Sequence, residues 1–319
     1  MSDAEVLLCT DTFWDAHHRR AAEIAPGIEA VVLRESEQVP ESELDRVTCA
    51  FFSHDAWPDR APAFFGAATR TPNLRWFHTM SAGVDSPVFQ SFIDRGAQLT
   101  TSSGSNAAPI ARTVMMYLLA LTRGLPMMLR AQAEGEWTWH RWRELEGRQV
   151  AVVGYGPIGR EVCRLAAEFA MDPVIVRREA KGDEPFPVRR ITELAAIAAE
   201  ADALVMALPL NDQTEGIVSA EVIDELADDA LFVNVGRGGL VDQDALTAAL
   251  ADGRLGGAGL DVTTPEPLPS DHPLWKLPNV IITPHNSGST DRTAGRATEC
   301  FFTNLGHLVN RRPLINEVT

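Results

Sequence analysis

The sequence predicts an α/β protein built on parallel sheets and divided into two domains. Three observations carry that reading. Short apolar runs alternate with helix-like segments along the whole chain, the pattern of repeated β-α-β units. The stretch VAVVGYGPIGRE at 150–161 joins an apolar run to a helical pattern through a glycine-rich turn. Two long helical stretches, 106–123 and 290–310, frame the second half of the strand series, as if one domain were inserted into another.

In order, the candidate strands of the first part are VLL at 6–8, AVVL at 30–33, VTCAFF at 47–52 and LRWFHT at 74–79. Their connections are Pro-rich or helical. A second series follows: 149–153, 173–176, 203–207, 230–234, 257–261 and 280–283. Helices are expected between these strands at 157–170, 192–200, 219–227 and 242–251. The framing helices, the first rich in Ala, Leu and Met, are expected to cross between the two domains, with a ligand in the cleft. No internal repeat or low-complexity tract interrupts the series.

At 319 residues, with 45% hydrophobic residues, the chain is long enough for two cores. No segment is both long and charge-free enough to span a bilayer, and residues 1–10 lack the features of a signal peptide. A soluble cytoplasmic protein is the expectation. Cys9, Cys49, Cys163 and Cys300 are scattered and form no CxxC, which favours reduced, buried thiols over disulfides or a metal site. The formal net charge of −16 argues against nucleic acid as a partner. Only Lys181 and Lys276 are lysines. An acidic, lysine-poor surface fits a salt-adapted host or a compositional bias, and activity that rises in molar KCl marks the first.

Gly154, Gly156 and Gly159 make GxGxxG in the strand–turn–helix context that a dinucleotide requires. The first glycine permits the tight turn, the second lets pyrophosphate approach the backbone, and the third lets helix and strand pack closely. The helix N-terminus presents N–H groups and a positive dipole end to the phosphates. Tyr155, Pro157 and Ile158 belong to the same turn. At the end of the next strand, Arg177 lies 18 residues after Gly159, where NAD-specific sheets carry an acid, and Arg178 follows. Two guanidiniums suit a 2′-phosphate, so NADP(H) is expected. Glu179 keeps NAD(H) open, because a shift of one or two residues would set it at the ribose. Pro209, Thr214, Val235 and Gly236, after the following strands, complete the expected cofactor contacts.

Three later segments each follow a strand, at the ends where open α/β sheets place ligands. VNVGRGGLVD at 233–242 carries Arg237, GLDVTTPEPLP at 259–269 carries Asp261 and Glu266, and ITPHNSGST at 282–290 carries His285. An arginine can hold a substrate carboxylate in its planar fork and polarise a 2-oxo group. A histidine can give and retake the alcohol proton, and a neighbouring glutamate favours its imidazolium and fixes the ring. A nicotinamide would supply the hydride. Singly, each residue also reads as an ordinary turn or loop residue; together they make a machine for 2-oxo acid reduction.

With these motifs the sequence resembles the D-isomer-specific 2-hydroxyacid dehydrogenase family, over nearly the whole chain and most strongly from 147 to 290. The family's catalytic arginine falls on Arg237, its acid on Glu266, 29 residues on, and its proton-transfer histidine on His285, a further 19 on. The resemblance implies that Asp261 binds the nicotinamide carboxamide. It implies a flavodoxin-like substrate domain from residues 1–104 and 287–319, and a Rossmann-type doubly wound parallel sheet, 105–286, inserted into it. It also implies a homodimer through the inserted domain. MSAGVDS at 80–86 resembles the loop whose N–H groups hold the substrate carboxylate, which assigns Ser81, Ala82 and Gly83 to substrate with Arg237 and His285. DVTTPEPLPSDHPLW, and EGEWTWHRW at 134–142, are similar to the glyoxylate/hydroxypyruvate reductases. In that branch an aromatic residue of the partner subunit can line the site, a role open to Trp137 or Trp139, as is packing for them and Trp142.

Two departures stand out. Arg112 replaces an acid common at the start of the first framing helix, and HNSGST replaces a more apolar HIGSAT-like run, which puts Asn286 beside His285. Asn286 could bond a ligand or cap the next helix. Two other functions share this fold: a nucleotide-sensing regulatory protein with little turnover, and a phosphite or formate dehydrogenase. The joint presence of Arg237, Glu266 and His285 favours an enzyme with acid–base chemistry.

Overall fold

The computed structural model describes residues 4–35, 38–84 and 86–318. These form two compact units, the first from residues 1–105 and 290–319 and the second from 106–289. No helix among the described residues is long and apolar enough to cross a membrane.

The first unit holds a five-stranded parallel sheet. Its strands are β1 (Val6–Thr10), β2 (Glu29–Leu33), β3 (Cys49–Phe52), β4 (Trp76–Thr79) and β5 (Gln98–Thr101), ordered β2-β1-β3-β4-β5. That is the flavodoxin-like order. Successive side chains alternate between faces, so the sheet needs a cover on both sides. On one face, Trp76 stacks on Phe301 with centroids 5.4 Å apart, and Phe51 stacks on the same ring at 4.4 Å. Phe301 comes from the last helix, Thr293–Val309. On the other face, Phe77 stacks on Phe92 at 4.5 Å beside the buried Phe64. The chain then returns to the sheet edge: Glu317 bridges Thr100, and Val318 N–H donates to Leu99 O at 2.9 Å.

The second unit holds seven parallel strands: β6 (Gln149–Val153), β7 (Asp172–Arg177), β8 (Val188–Arg190), β9 (Ala203–Met206), β10 (Leu231–Asn234), β11 (Gly257–Leu260) and β12 (Val280–Ile282). Their order is β12-β11-β10-β9-β6-β7-β8, which reverses at β6 and so makes a Rossmann-type switch point. Val150, Val152, Val205 and Val233 face one buried layer, which includes Val114 and Leu118 of helix Ala107–Thr122 and Val162 of helix Pro157–Glu168. Ala151, Val153, Leu204, Met206 and Phe232 face the other. Each framing helix packs within one unit: Ala107–Thr122 belongs to the second and Thr293–Val309 to the first.

Two strands escape the sequence pattern. β5 reads QLTT and β8 reads VRR; both stand at the end of their sheet's strand order, and their short, partly polar sequences break the apolar pattern. The first framing helix ends at Thr122, and left-handed Gly124 (φ +59°) starts a separate helix, Leu125–Glu134.

The glycine turn is fixed by contacts within the fold. Gly154 has φ +105°, and a Cβ there would lie 2.5 Å from Ala207 O. A Cβ on Gly159 would lie 1.9 Å from Gly154 O, so the third glycine is required by the first glycine's carbonyl. A Cβ on Gly156 would meet nothing within 4 Å. Gly159→Ala therefore lowers stability by about 1–3 kcal/mol, whereas Gly156→Ala leaves the melting temperature within a degree or so. Thermal melts of the two variants check the contrast.

Beneath β4 runs a buried polar chain. Trp76 Nε1–H donates to Thr100 Oγ1 at 2.7 Å, and Thr100 O–H donates to His78 Nδ1, also at 2.7 Å, because the other ring nitrogen carries the hydrogen of the neutral imidazole. His78 Nε2–H then donates to Ser102 Oγ at 3.1 Å, and that hydroxyl donates to Thr79 O at 3.1 Å. Burial pushes the His78 ring down to about 3. The folded state keeps the ring neutral, while the unfolded chain takes up a proton below its ordinary value of about 6.5. Stability contributed by the neutral ring is therefore intact above pH 6.5 and falls as pH drops toward 3. Between pH 7 and pH 5 the loss amounts to about 2 kcal/mol. Urea titrations at both pH values show it in the wild type and a shallower dependence in His78→Gln.

Candidate active site

In the second unit the turn between β6 and the helix Pro157–Glu168 opens a cavity of about 630 Å³. Gly154, Tyr155, Gly156, Arg177, Arg178, Pro209 and Thr214 all line it. Proline at the first turn and the absence of a side-chain cap leave the helix N-terminus to the cavity's end of the sheet. Thr214 Oγ1 donates to Pro209 O at 2.7 Å and accepts from Asn211 N–H at 2.9 Å, which closes the loop after β9. Pro157 and Ile158 form the first helical turn. Gly159, Val235 and Gly236 are packing positions: Val235 is buried, and a Cβ on Gly236 would lie 2.7 Å from Leu208 O.

The two arginines after β7 are used differently. Arg177 Nη1 donates to Glu184 Oε1 at 2.6 Å, and Glu184 also accepts the N–H groups of Lys181 and Gly182, each at 2.8 Å. Those bonds, with the Arg177 charge, hold the Glu184 carboxyl below its usual range. Arg178 Nη1 donates to Gln213 Oε1 at 2.9 Å. Its partner is a neutral amide, so that bond leaves its charge unbalanced. Lys181 and Gln213 line the cavity as well, and sequence reasoning missed both, as it missed Glu184. Nothing in a single sequence ties a loop acid to an arginine seven positions earlier.

Glu266 and His285 meet. Glu266 Oε2 and His285 Nδ1 are 2.8 Å apart, and Glu266 Oε1 accepts Thr263 N–H at 3.2 Å. Both line a second cavity, of about 340 Å³, with Asp261, Thr263, Leu268 and Trp275. Trp275 is half exposed and was not singled out from the sequence. Its indole N–H donates to Pro269 O at 2.9 Å, which turns the ring onto this cavity. Arg237 stands just past β10, the strand beside β11. Its Nη1 donates to Gly236 O at 2.7 Å, and Asn234 Nδ2 donates to Arg237 O at 2.9 Å. A Cβ on neighbouring Gly238 would lie 2.0 Å from Thr263 O, so this turn is pressed against the Glu266 loop.

His285 has φ +49°, and its N–H donates to Asp261 O at 2.8 Å. Asp261 is buried. Asn286 donates its backbone N–H to Asp261 Oδ1 at 3.0 Å, and the next long helix starts only at Thr293, with Arg292 as its cap, so Asn286 does not cap it. Arg112 lies on an apolar groove of the second unit. Trp137 is fully exposed and Trp139 nearly so, whereas Trp142 packs on Gly124.

In the first unit, Ser81, Ala82 and Gly83 follow the C-terminal end of β4. Ser81 N–H donates to Thr79 Oγ1 at 3.3 Å, and Ser81 Oγ donates to Gly83 O at 2.9 Å. Asp85, in the same segment, lies outside the described residues. All four cysteines are free, and burial pushes the Cys163 thiol up to about 12, far from a reactive thiolate.

Residues 115–287, more than half the chain, match the family model described as "D-isomer specific 2-hydroxyacid dehydrogenase, NAD binding domain". A human glyoxylate reductase/hydroxypyruvate reductase is 30% identical over 253 residues, covering 77% of each chain. A glyoxylate/hydroxypyruvate reductase B of Pectobacterium atrosepticum is 33% identical over 242 residues, covering 73% of this chain and 75% of its own. Among solved structures, a D-isomer specific 2-hydroxyacid dehydrogenase from Xanthobacter autotrophicus, in complex with NADPH and MES, is 27% identical with a TM-score of 0.82, covering 100% of this chain and 98% of that one. An NADPH-dependent glyoxylate/hydroxypyruvate reductase from Sinorhizobium meliloti, with NADP and sulfate, is 25% identical with a TM-score of 0.78, covering 99% and 98%. The chain thus belongs to the D-isomer specific 2-hydroxyacid dehydrogenase family and is an NAD(P)-dependent oxidoreductase of small 2-oxo and 2-hydroxy acids.

Proposed function

We propose that this protein reduces a small polar 2-oxo acid, of the glyoxylate or hydroxypyruvate kind, to the D-2-hydroxy acid with NADPH. The observation that carries the reading is the carboxylate–imidazole pair, Glu266 and His285 at 2.8 Å, set after two adjacent parallel strands with Arg237 after the third. Relatives at 30–33% identity named for glyoxylate and hydroxypyruvate support the substrate class.

The cofactor fits the residues present. Gly156 leaves room for a phosphate against the backbone, and Arg177, Arg178 and Lys181 put positive charge on the cavity where a 2′-phosphate would lie. Arg178, bonded to a neutral amide, is the stronger of the two arginines for that role. Glu179 lines the same cavity, which keeps NAD(H) usable. When bound, the nicotinamide supplies a hydride to the 2-oxo carbon. As the carbonyl π bond breaks, its electron pair passes to oxygen, and His285 delivers a proton to that oxygen. Glu266 holds Nδ1–H and leaves Nε2 for the transfer. Arg237 offers its fork to the carboxylate and its charge to the developing oxyanion. Ser81, Ala82 and Gly83 are assigned to the substrate carboxylate, Ala82 and Gly83 through their backbone N–H groups.

The assembly we propose is a homodimer through the second unit. Met115, Met116, Leu119, Leu125, Met128 and Phe169 line an apolar groove of about 550 Å³, and Leu129, Trp137 and Trp139 are exposed nearby in sequence. A second copy laid over this groove would cover its exposed methionines and leucines.

His285→Ala abolishes most turnover, by about 100- to 10,000-fold, while NADPH still binds. Arg237→Ala raises KM and lowers kcat together. A spectrophotometric panel of glyoxylate, hydroxypyruvate, pyruvate and bulkier 2-oxo acids, each with NADH and NADPH, reads substrate and cofactor at once. Wild-type rates in both variants, or a clear preference for NADH, would defeat the reading. Leu119→Glu gives a monomer by light scattering if the groove is the dimer face.

A further inference from the structure

The loop that follows β7 is braced by one carboxylate. Glu184 stands seven residues after Arg177 and three after Lys181. Its Oε1 accepts Arg177 Nη1–H at 2.6 Å and Lys181 N–H at 2.8 Å, and its Oε2 accepts Gly182 N–H at 2.8 Å. Gly182 has φ +84°, so the turn that aims two N–H groups at one carboxylate passes through the left-handed region. The Glu184 side chain is only 3% exposed and that of Arg177 20%, whereas Arg178, Glu179 and Lys181 are exposed and line the cavity. The Arg177 guanidinium also lies over the Tyr155 ring, 6.0 Å from its centroid.

These contacts make Arg177 an anchor. A nearly buried carboxylate balances its charge, and the pair ties the turn at 181–182 back to the end of the strand. Arg178 and Lys181 both belong to the span so tied. Their long side chains lose rotamer freedom when they hold a ligand; with the backbone already fixed, that is the only ordering left to them. We infer that Glu184 is the positioning residue that sets the preference for a 2′-phosphate: it touches no ligand and holds the backbone from which Arg178 and Lys181 reach one. Charge alone gives the opposite sign, because deleting a carboxylate near a phosphate site tightens the phosphate. The direction of the change therefore separates position from charge.

This inference rests on NADPH binding in this cavity. It is tested without turnover, by calorimetric titration of the full chain with 2′,5′-ADP and with 5′-AMP, the fragments that carry and lack the 2′-phosphate. In Glu184→Gln the amide nitrogen faces a donor whichever way it turns, and the brace opens. The Kd of 2′,5′-ADP rises about tenfold, the equivalent of one hydrogen bond to a charged group, and that of 5′-AMP stays within about twofold. Glu184→Asp keeps the charge and shortens the reach, so it too loses 2′,5′-ADP selectively. In steady state both variants raise KM for NADPH and leave kcat at saturation in place. Binding of 2′,5′-ADP that tightens or holds in Glu184→Gln overturns the inference. So does an equal loss of both fragments, which makes Glu184 a general support of the fold, and so does wild-type affinity in Glu184→Asp, which makes charge the cause. Arg178→Ala is measured alongside. If it weakens 2′,5′-ADP while the Glu184 variants do not, the role of Glu184 alone fails; if the wild type binds the two fragments alike, the NADPH reading fails and this inference with it.

Discussion

The register of three parallel strands is the constraint on which the site depends. Asn234 of β10 lies opposite Leu260 of β11, and Leu260 lies opposite Ile282 of β12. Because the ladder fixes these partners, Arg237, Asp261 and His285 leave the sheet within one to three residues of the same row. A slip by one residue would turn every side chain to the other face and separate the arginine from the histidine. The buried valines and leucines of both faces hold that register, so the hydrophobic pattern of the second unit is also the specification of its chemistry.

Charge at the site is handled by pairing within short loops. Glu184 closes its own loop and ties down Arg177, and Glu266 closes its own loop and orients His285. In each case a carboxylate first accepts backbone N–H groups from residues close in sequence and then meets one cationic or titratable partner. The backbone bonds fix the carboxylate, so the partner's position follows from the loop's conformation. An acidic protein can in this way keep arginines directed into a cofactor cavity without a large excess of basic residues.

Much of this was legible in the sequence, for physical reasons. A central strand of a parallel sheet is buried on both faces and is therefore mostly apolar, so QVAVV and ALFVN announce themselves. A turn that must pass within contact of a carbonyl needs glycine, so Gly154 and Gly159 do too. β5 and β8 are hidden by polar residues: the arginines of β8 reach solvent, and Thr100 of β5 is buried by hydrogen bonds to Trp76 and His78 rather than by being apolar. The pairing of Glu266 with His285 could be anticipated from the chemistry each offers. The brace around Glu184 could not, because it is made of backbone N–H groups whose positions exist only once the chain has turned.

The first unit is made from both ends of the chain, and that has a consequence during synthesis. Strands β1 to β4 emerge early, carrying Phe51 and Trp76, yet the ring that covers both, Phe301, arrives with the final helix. Until then that aromatic face has only the early helix Asp11–Ile24 over it, with Phe13 4.9 Å from Phe51, while the residues of the inserted unit are all in place. A nascent chain that has not yet reached Phe301 thus carries an incomplete aromatic core beside a complete inserted unit, the condition under which partly folded chains associate.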